Sequence, residues 1–461
     1  MKAISISIYF FGLSFMLMGQ DTALQEYINI GLESNLALKQ KKSSYEKSIE
    51  ALNQARAYYL PAINLDARYT IANGGRVIDF PVGDLLNPVY TTLNYLTGTD
   101  AFPQIENQTY QFYRPHEQET KLELIQPVIN PAIGYNYKIN KELLKASNAD
   151  LNAFKRQLVG DIKSAYYSYQ KTIRLQDLVK DTRALLQENI RVNKSLYKND
   201  KVTVDVVYRS EAELSKLEQN EAIVMKNNKM AASWMNFLLN QPFDTEIQTS
   251  DNVDLLMDLM SLENAEELAF GNREELDQMD YYMKAGEYKL KLNVANGYPT
   301  VFAAVNYGIQ GTNYSFTKDD DFFLGSLVLR WNIFKGLENK SKIKQAKIEL
   351  DQIVTRKSQI SDNIRLEVTE AYYSLEAAAK YVQAVQKEKE SSTKAFNVIS
   401  KKYGEGMVSL VEFMDSRTTM TTSLANFIIA RFEYKIMEAE FERVIGTYIL
   451  PLEANNNTNV K

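Results

Sequence analysis

The sequence places charged side chains next to two polar turns, and these side chains are the first candidates for functional residues. Glu412 and Asp415 lie three residues apart in a helical stretch, so their carboxylates share one helix face. Such a pair favours cations where it lines a narrow mouth, and it is otherwise an ordinary solvated helix surface. An earlier helical stretch carries Asp205 and Arg209. The spacing alone leaves both interpretations of the acidic pair open.

The composition offers little that could catalyse a reaction. The sequence has no Cys and a single His, His116, which excludes disulfides, thiolate sites and most imidazole catalysis. It has no phosphate-binding glycine loop, no dinucleotide fingerprint and no cluster of metal ligands. We therefore expect no enzyme activity, no catalytic residue, no cofactor and no metal. A net charge of −5, with acids and bases mixed along the chain, indicates no nucleic-acid partner.

The N-terminus has the composition of an export signal. Lys2 precedes an apolar run from Ile4 to Met18, and Gly19 is a small residue at a plausible cleavage point. An inner-membrane anchor helix is the alternative, but the run is shorter than the ~20 residues that a spanning helix needs. We predict a signal peptide over residues 1–20 and a disordered tail over residues 451–461.

The rest of the chain contains two copies of one unit. Leu24–Leu38 recurs as Leu262–Leu276 at an offset of 238 (262 − 24), and the motif Ala-Tyr-Tyr-Ser at 165–168 recurs at 371–374 at an offset of 206 (371 − 165). The first copy therefore carries about 32 additional residues (238 − 206), mainly in its hairpin loop. The predicted regions are repeat 1 over 21–243, a linker over 244–260 and repeat 2 over 261–450.

Each copy has the same order of predicted elements. A helix (Leu24–Tyr59, then Leu262–Asn296) precedes two alternating segments joined by a loop, and two long helical stretches around a polar turn follow. A helix of about 60 residues would be ~90 Å long, and periodic helices of this length indicate a coiled coil. The predicted strands are 62–72, 119–129, 299–311 and 323–334, and the predicted long helices are 133–198, 204–239, 340–403 and 410–449.

The alternating segments carry apolar residues on one face and polar residues on the other. In the first segment Ile63 and Ile71 lie opposite Asp66 and Arg68. Alternation over about ten residues is typical of a membrane β-barrel strand with a wet lumen, although a soluble half-buried sheet alternates equally well. If the strands form a barrel, the candidate lumen residues are Asp66, Arg68, Asn306 and Arg330.

One chain supplies only four such strands, and this number constrains the assembly. An open sheet in lipid leaves backbone groups unpaired at a cost of several kcal/mol each, and closed bacterial barrels begin at about eight strands. Strands that span a membrane here must therefore share a barrel with other chains. Two chains would give a small, filled barrel, and three would give twelve strands with room for a channel.

Together these features resemble the TolC-like outer-membrane efflux proteins over nearly all of the mature chain. The resemblance implies a homotrimer of mainly α chains, each with four strands in a shared twelve-stranded β-barrel and with long helices in an α-barrel that crosses the periplasm. The residues that carry the resemblance are the repeated leader, the junction Tyr58–Pro61, the tip motifs Tyr197–Glu211 and Tyr403–Arg417, and the helix ends Phe237–Pro242 and Arg443–Tyr448.

The resemblance also assigns roles to the tips. It implies a periplasmic adaptor that docks at the helical turns, and an inner-membrane transporter as a further partner. Asp200 stands where the family has Gly, and Val206 and Arg209 stand at the first-repeat acidic positions. The implied docking residues are Asn199, Asp200, Lys201, Val202, Gly404, Gly406, Met407 and Val408. The implied entrance and gate residues are Tyr403, Glu412, Asp415, Asp205 and Arg209, with a core aromatic as the alternative role of Tyr403.

We accordingly predict an outer-membrane exit channel of a tripartite efflux or type I secretion system. Flux would be passive, docking at the tips would open the channel, and the helical part would lie in the periplasm. The loop Asn73–Glu117 would be extracellular and could constrict the outer mouth. The alternatives are a soluble periplasmic coiled-coil adaptor or scaffold, against which the duplication argues, and a periplasmic binding protein or enzyme, against which the absent site chemistry argues.

Overall fold

The computed structural model describes residues 22–250, 255, 259–314, 317–448 and 450. The predicted signal peptide 1–20, the tail 451–461 and part of the predicted linker lie outside these residues. None of the described helices is both long and apolar enough to cross a membrane. The described residues up to Ile49, with Glu142–Met283 and those from Asp351 onward, form one compact unit, and Glu50–Lys141 and Lys284–Leu350 form another.

Helices and strands follow one another along the described chain in two similar sets. The elements of the first set are α1 (Thr22–Ser34), α2 (Leu36–Ala57), β1 (Ala62–Ile71), β2 (Val77–Phe80), α3 (Val82–Thr97), β3 (Gln108–Gln111), β4 (His116–Ile129), α4 (Pro131–Lys198) and α5 (Val204–Leu238). The elements of the second set are α6 (Leu262–Asn272), α7 (Glu274–Ala295), β5 (Thr300–Gly311), β6 (Asp321–Arg330), α8 (Glu338–Gly404) and α9 (Leu410–Ile445).

The first helix of each repeat is broken, so the predicted continuous helices Leu24–Tyr59 and Leu262–Asn296 are wrong. In repeat 1 the Oδ1 atom of Asn35 accepts a hydrogen bond from the backbone N–H of Leu38 at 3.0 Å, and it thereby caps the start of α2. In repeat 2 Arg273 adopts an extended conformation and separates α6 from α7. The two breaks are 238 residues apart (273 − 35), which is the offset of the repeat.

Left-handed residues end the long helices at matching positions of the two repeats. Asp200 (φ 57°) and Gly406 (φ 76°) follow α4 and α8, and Asn240 (φ 53°) and Gly446 (φ 71°) follow α5 and α9. Both pairs are 206 residues apart. At each site the next residue donates a backbone hydrogen bond five residues back, as from Met407 to Lys402 at 2.9 Å, which satisfies a free carbonyl of the helix end. Helix α9 therefore ends at Ile445 rather than at the predicted Ile449.

The four long strands form one antiparallel sheet in the order β1-β4-β5-β6. Their lengths of 10, 14, 12 and 10 residues reach the ~9–11 residues that a tilted strand needs to cross a bilayer. The pairing of β4 with β5 joins the two repeats, with Leu122 opposite Tyr307. Within the described chain β1 and β6 are the edge strands, and each has a strand neighbour on one side only.

The apolar face of this sheet is exposed on every strand. Ile63 on β1 and Leu327 on β6 expose 67% and 73% of their surface, and Leu122 and Tyr307 on the inner strands are also exposed. A soluble half-buried sheet would cover this face with other parts of the protein. Within the described chain, no second layer therefore packs on the apolar face of this sheet, as it would in a soluble β-sandwich.

Several strand ends differ from the predicted ones by one to four residues, and β4 contains an irregularity near Gln126. Strand β6 ends at Arg330, and residues 331–334 leave the sheet, because Arg330 pairs with Thr300, the first residue of β5, and the preceding Pro299 has no N–H to continue the ladder. On β4, Gln126 interrupts the apolar face next to a register shift between Pro127 and Ile129. Its side-chain amide donates to the carbonyl of Tyr59 at 2.9 Å, so the polar group is satisfied at the helix-to-strand junction.

The predicted loop Asn73–Glu117 contains regular structure. Strands β2 and β3 pair with each other, α3 lies between them in sequence, and His116 begins β4 rather than ending the loop. Two asparagines of α3 hold the segment that follows the helix. The side-chain amide of Asn87 hydrogen-bonds both the backbone N–H and the carbonyl of Ile105, and that of Asn94 does the same with Phe102. This helix therefore turns polar side chains toward its own chain, and the large apolar side chains left exposed on it are Leu85, Leu86, Val89, Tyr95 and Leu96.

Each repeat has its own apolar core built around the recurring Ala-Tyr-Tyr motif. Ala165 and Tyr166 are buried with residues of α1, α2 and α5, while Ala371 is buried with residues of α6 and α9 and Tyr372 packs against that cluster. The first tyrosine of the motif is thus a packing residue in both repeats.

Arg156 links the two repeats in the unit that contains these cores. It donates two hydrogen bonds to the carboxylate of Glu274, at 3.0 and 2.5 Å, and two more to the carbonyls of Gly446 and Tyr448, at 2.7 and 2.8 Å. Both side chains are largely buried. The arginine on α4 therefore holds the start of α7 and the carbonyls that follow α9.

We expect Arg156→Met to destabilise the protein by about 3 kcal/mol, because it leaves the carboxylate of Glu274 buried without its partner. Urea unfolding followed by circular dichroism at 222 nm would show an earlier midpoint. Arg191→Met is the matched control, since the ion pair of Arg191 with Glu188 is exposed, and it should unfold like the unmodified protein. Equal midpoints for the two variants would contradict this role of Arg156.

Candidate functional site

The tips of two helical hairpins contain the predicted docking residues. Hairpin 1 is α4 with α5, and hairpin 2 is α8 with α9. Val202 and Val408, which are 206 residues apart, are half-buried, while the remaining docking candidates are exposed: Asn199, Asp200, Lys201, Gly404, Gly406 and Met407. Asp200 takes the left-handed conformation of Gly406, which Asp tolerates better than most residues. The first turn therefore keeps the backbone of the second and adds a carboxylate.

Tyr403 joins the two hairpins. Its hydroxyl donates to Oδ1 of the fully buried Asn193 on α4 at 2.6 Å, and its ring stacks on Phe413 with the ring centroids 4.6 Å apart. Burial raises the pKa of Tyr403 above its usual value of about 10, so the hydroxyl stays protonated at neutral pH and can donate. Tyr403 is thus a packed aromatic that also makes a polar link between hairpins.

Asn193 belongs to a small polar network inside hairpin 1. Its amide group donates to Asn189 at 3.1 Å and to the hydroxyl of Ser210 at 2.8 Å. The Tyr403 hydroxyl completes this network from hairpin 2. Loss of that hydroxyl would leave a buried acceptor unpaired, which costs about 1–3 kcal/mol.

A second polar link and an apolar cluster reinforce the contact between hairpins. Buried Arg417 on α9 donates to Glu213 on α5 at 2.8 Å. Hydrogen bonds from Lys216 and Arg417 lower the pKa of Glu213 below its usual value, so the carboxylate is charged at neutral pH. The apolar cluster consists of Phe396, Leu410 and Phe413 from hairpin 2, with Leu185 and Val206 from hairpin 1 packed against it.

The acidic candidates differ between the two repeats. Glu412 and Asp415 are exposed, and neither carboxylate has an ion-pair partner among the residues that the structure describes. Asp205 lies 3.7 Å from Arg209, four residues along the same helix, and these two charges offset each other. Hairpin 2 therefore presents two free negative charges, whereas hairpin 1 presents a neutral pair.

The four lumen candidates lie on one face of the sheet. The register places Asp66 opposite Lys121, and Asn306 opposite Glu123. Arg68 forms an ion pair with Glu119 at 3.1 Å, and Arg330 lies over the ring of Phe302, 5.5 Å from its centroid. The resulting polar face also includes residues that the sequence analysis did not single out, and these are Glu119, Lys121 and Glu123.

Sequence reasoning missed the partners that join the hairpins. Asn193 and Glu213 are 210 and 204 residues from the side chains that they contact, and neither stands in a recognisable local pattern. Arg417 ends the second tip motif and could have been selected as a charged residue of that motif.

Residues 267–447 match the model of a protein family described as outer membrane efflux protein. The matched segment includes α7, β5, β6, α8 and α9, and the two offsets relate it to the first repeat. The sequence matches no curated protein at a significant level.

Solved structures of bacterial membrane proteins, among them outer membrane channels, share the fold over 92% of this chain. A membrane protein from Pseudomonas aeruginosa matches with a TM-score of 0.77 at 16% identity, over 92% of this chain and 93% of that one. The CmeC outer membrane channel of Campylobacter jejuni matches with a TM-score of 0.76 at 13% identity, over 92% of this chain and 86% of that one. The open MtrE outer membrane channel of Neisseria gonorrhoeae matches with a TM-score of 0.70 at 14% identity, over 92% of this chain and 89% of that one.

The match to this family model and the shared fold together confirm the predicted TolC-like resemblance and its mainly α chain with a small β part. They support an outer-membrane exit channel of efflux systems and argue against the soluble adaptor. The family is one of transport channels.

We expect Tyr403→Phe to loosen the hairpin tips, because it removes the hydroxyl that donates to buried Asn193. A loss of about 1–2 kcal/mol should speed amide hydrogen exchange of the tip segments, read by mass spectrometry, by roughly tenfold. Tyr208→Phe is the matched control, because Tyr208 is an exposed tyrosine near the tip of hairpin 1. Unchanged exchange in Tyr403→Phe would show that the hydroxyl does not hold the hairpins together.

Proposed function

We propose that this chain is one subunit of a trimeric outer-membrane exit duct that serves a tripartite efflux or type I secretion system. The observation that carries the proposal is the four-stranded sheet, which has an exposed apolar face, a charged opposite face and two edges without partners in the described chain. Such a sheet suits lipid on one side and water on the other. It is not a stable arrangement for a single chain.

Backbone pairing requires that more than one chain form the barrel. A ten-residue edge strand presents roughly ten unpaired backbone groups on its free side, and each costs several kcal/mol in hydrocarbon. Pairing β1 of one subunit with β6 of the next satisfies both edges. Three subunits give twelve strands, which leaves a lumen lined by the charged face and by the candidates Asp66, Arg68, Asn306 and Arg330.

The direction of the duct follows from the connections of the strands. Helices join β1 and β5 at their first residues and β4 and β6 at their last residues, and antiparallel pairing brings these four ends to one edge of the sheet. That edge would face the periplasm, where the helices lie, and the structured segment 73–115 would face outward. A signal peptide over residues 1–20 would deliver the chain to this location.

The hairpin tips are the proposed contact for the partner proteins. The exposed turns at 199–201 and 404–407 would bind the periplasmic adaptor of an inner-membrane transporter. Binding that separates the hairpins would break the contacts of Tyr403 and Arg417, and the duct would widen. The chain itself would supply no energy and would catalyse no reaction.

The carboxylates of Glu412 and Asp415 are the proposed entrance charges. Both lack an ion-pair partner among the described residues, and three subunits would present six of them around a narrow mouth. Asp205 and Arg209 would contribute little net charge there, because they pair with each other.

Fractionation of cells that express the full chain tests the proposed location. We expect the protein in outer membranes after a carbonate wash, with release by detergent as a trimer. Recovery from the soluble periplasm without detergent would contradict the proposal, and so would a detergent-extracted monomer.

We expect Glu412→Ala with Asp415→Ala to weaken the block of single-channel current by multivalent cations in planar bilayers, because the mouth loses six negative charges. The control is Glu388→Ala with Glu390→Ala. These two exposed acids lie on α8, away from the turn between α8 and α9, and their loss should leave the block unchanged. If block by the same cation is equal in the entrance variant and the unmodified channel, these carboxylates do not line the entrance.

A further inference from the structure

A cavity of about 460 Å³ lies where β6 leads into α8. Its wall is formed by residues 331–335, by Leu337, by the first turns of α8 and by Asn296 and Gly297, which directly follow α7. Trp331 is fixed at this place because its Nε1–H donates to the carbonyl of Gly297 at 3.1 Å. The cavity is therefore a formed feature of the strand-to-helix junction.

Large apolar side chains surround this cavity and are exposed. Ile333 and Phe334 expose 81% and 76% of their surface, and Leu337 is also exposed. Leu337 has a φ of 65° directly after Gly336 with a φ of 55°, although the left-handed conformation is unfavourable for a leucine by about 1–2 kcal/mol. Backbone strain of this kind tends to occur at functional sites, and here it accompanies an apolar side chain that is left exposed.

The cavity also carries an excess of positive charge. Lys335, Lys340 and Lys342 line it together with one acid, Glu338, which leaves a surplus of two charges. Glu338 bonds Lys342 at 2.6 Å and Lys335 at 2.9 Å, and these contacts lower its pKa to about 2. Lys340 has no ion-pair partner among the residues that the structure describes.

The position of the cavity suits a lipid ligand. Under the proposed function, on which this inference rests, the helix-side end of β6 lies at the periplasmic surface of the outer membrane. Residues 331–342 then lie at the depth of the phospholipid headgroups of the inner leaflet. Tryptophan is enriched at this depth, and apolar side chains next to lysines are typical of surfaces that bind anionic lipid.

We propose that the cavity at the β6–α8 junction is a binding site for an anionic phospholipid of the inner leaflet, with its phosphate near Lys340 and Lys342 and its acyl chains along Ile333, Phe334 and Leu337. The surplus positive charge favours an anionic headgroup over a zwitterionic one. Each site would tie a subunit to the membrane at the point where the chain leaves the sheet.

Fluorescence of Trp331 gives a direct test. The sequence has two tryptophans, so Trp234→Phe leaves Trp331 as the sole reporter inside the proposed site. The purified detergent-solubilised trimer is titrated with phosphatidylglycerol or phosphatidylcholine carrying brominated acyl chains, which quench a tryptophan in contact with them. We expect phosphatidylglycerol to quench at concentrations lower by about fivefold or more.

Removal of the surplus charge should abolish this preference. The double variant Lys340→Gln with Lys342→Gln leaves one lysine and one acid at the cavity. In this variant both lipids should quench the fluorescence of Trp331 equally. Lys387→Gln with Lys394→Gln makes the same charge change elsewhere on α8 and should keep the preference. Equal quenching of the parent protein by both lipids, or no quenching, would overturn the lipid site. The conductance of the same protein is measured in planar bilayers. A conducting trimer without lipid preference contradicts only this inference. A monomer without conductance contradicts the proposed function.

Discussion

Backbone hydrogen bonding in a solvent that contains no water is the constraint on which the β part of this molecule depends. The sheet satisfies this requirement between β1 and β4, β4 and β5, and β5 and β6, but one chain leaves the outer side of β1 and of β6 without a strand partner. In lipid that deficit amounts to tens of kcal/mol, which exceeds the whole stability of an ordinary domain. In the proposed barrel, subunit association would therefore be part of folding for this sheet rather than a later event.

Duplication gives the helical part its regularity, and small departures from it give the two hairpins different properties. Asp200 and Gly406 support the same turn, but only the first adds a charge. Glu412 and Asp415 have no ion-pair partner among the described residues at the second hairpin, whereas Asp205 is paired with Arg209 at the first. In a trimer of such chains, threefold symmetry would repeat each difference around the axis. Cation attraction and hairpin contact could then be tuned separately.

The sequence pattern predicted those structural elements that depend on residues within one segment. It did not predict features that depend on a contact with a residue far away in the sequence. The alternation at Asp66 and Arg68 indicated a polar strand face because period 2 is a property of the strand itself. The same alternation continued through Trp331 and Ile333, yet β6 ends at Arg330 because its neighbour begins after Pro299. The breaks at Asn35 and Arg273 and the asparagine-held segment beside α3 depend on individual hydrogen bonds, which periodicity does not show. At the tips, spacing selected Glu412 and Asp415, but Asn193 and Glu213 became visible only when folding brought residues more than 200 positions apart together.

Disulfide trapping between β1 and β6 tests the shared barrel most directly. The chain has no Cys, so Leu65→Cys can be combined in turn with Gly325→Cys, Leu327→Cys and Leu329→Cys. Within one subunit the two strands are three strand spacings apart, about 14 Å, which is too far for a disulfide. If β1 of one subunit pairs with β6 of the next, oxidised membranes will yield covalent dimers and trimers for at least one pair, while each single variant yields monomers. Monomers alone for all three pairs, in protein that has reached the outer membrane, would contradict closure between subunits.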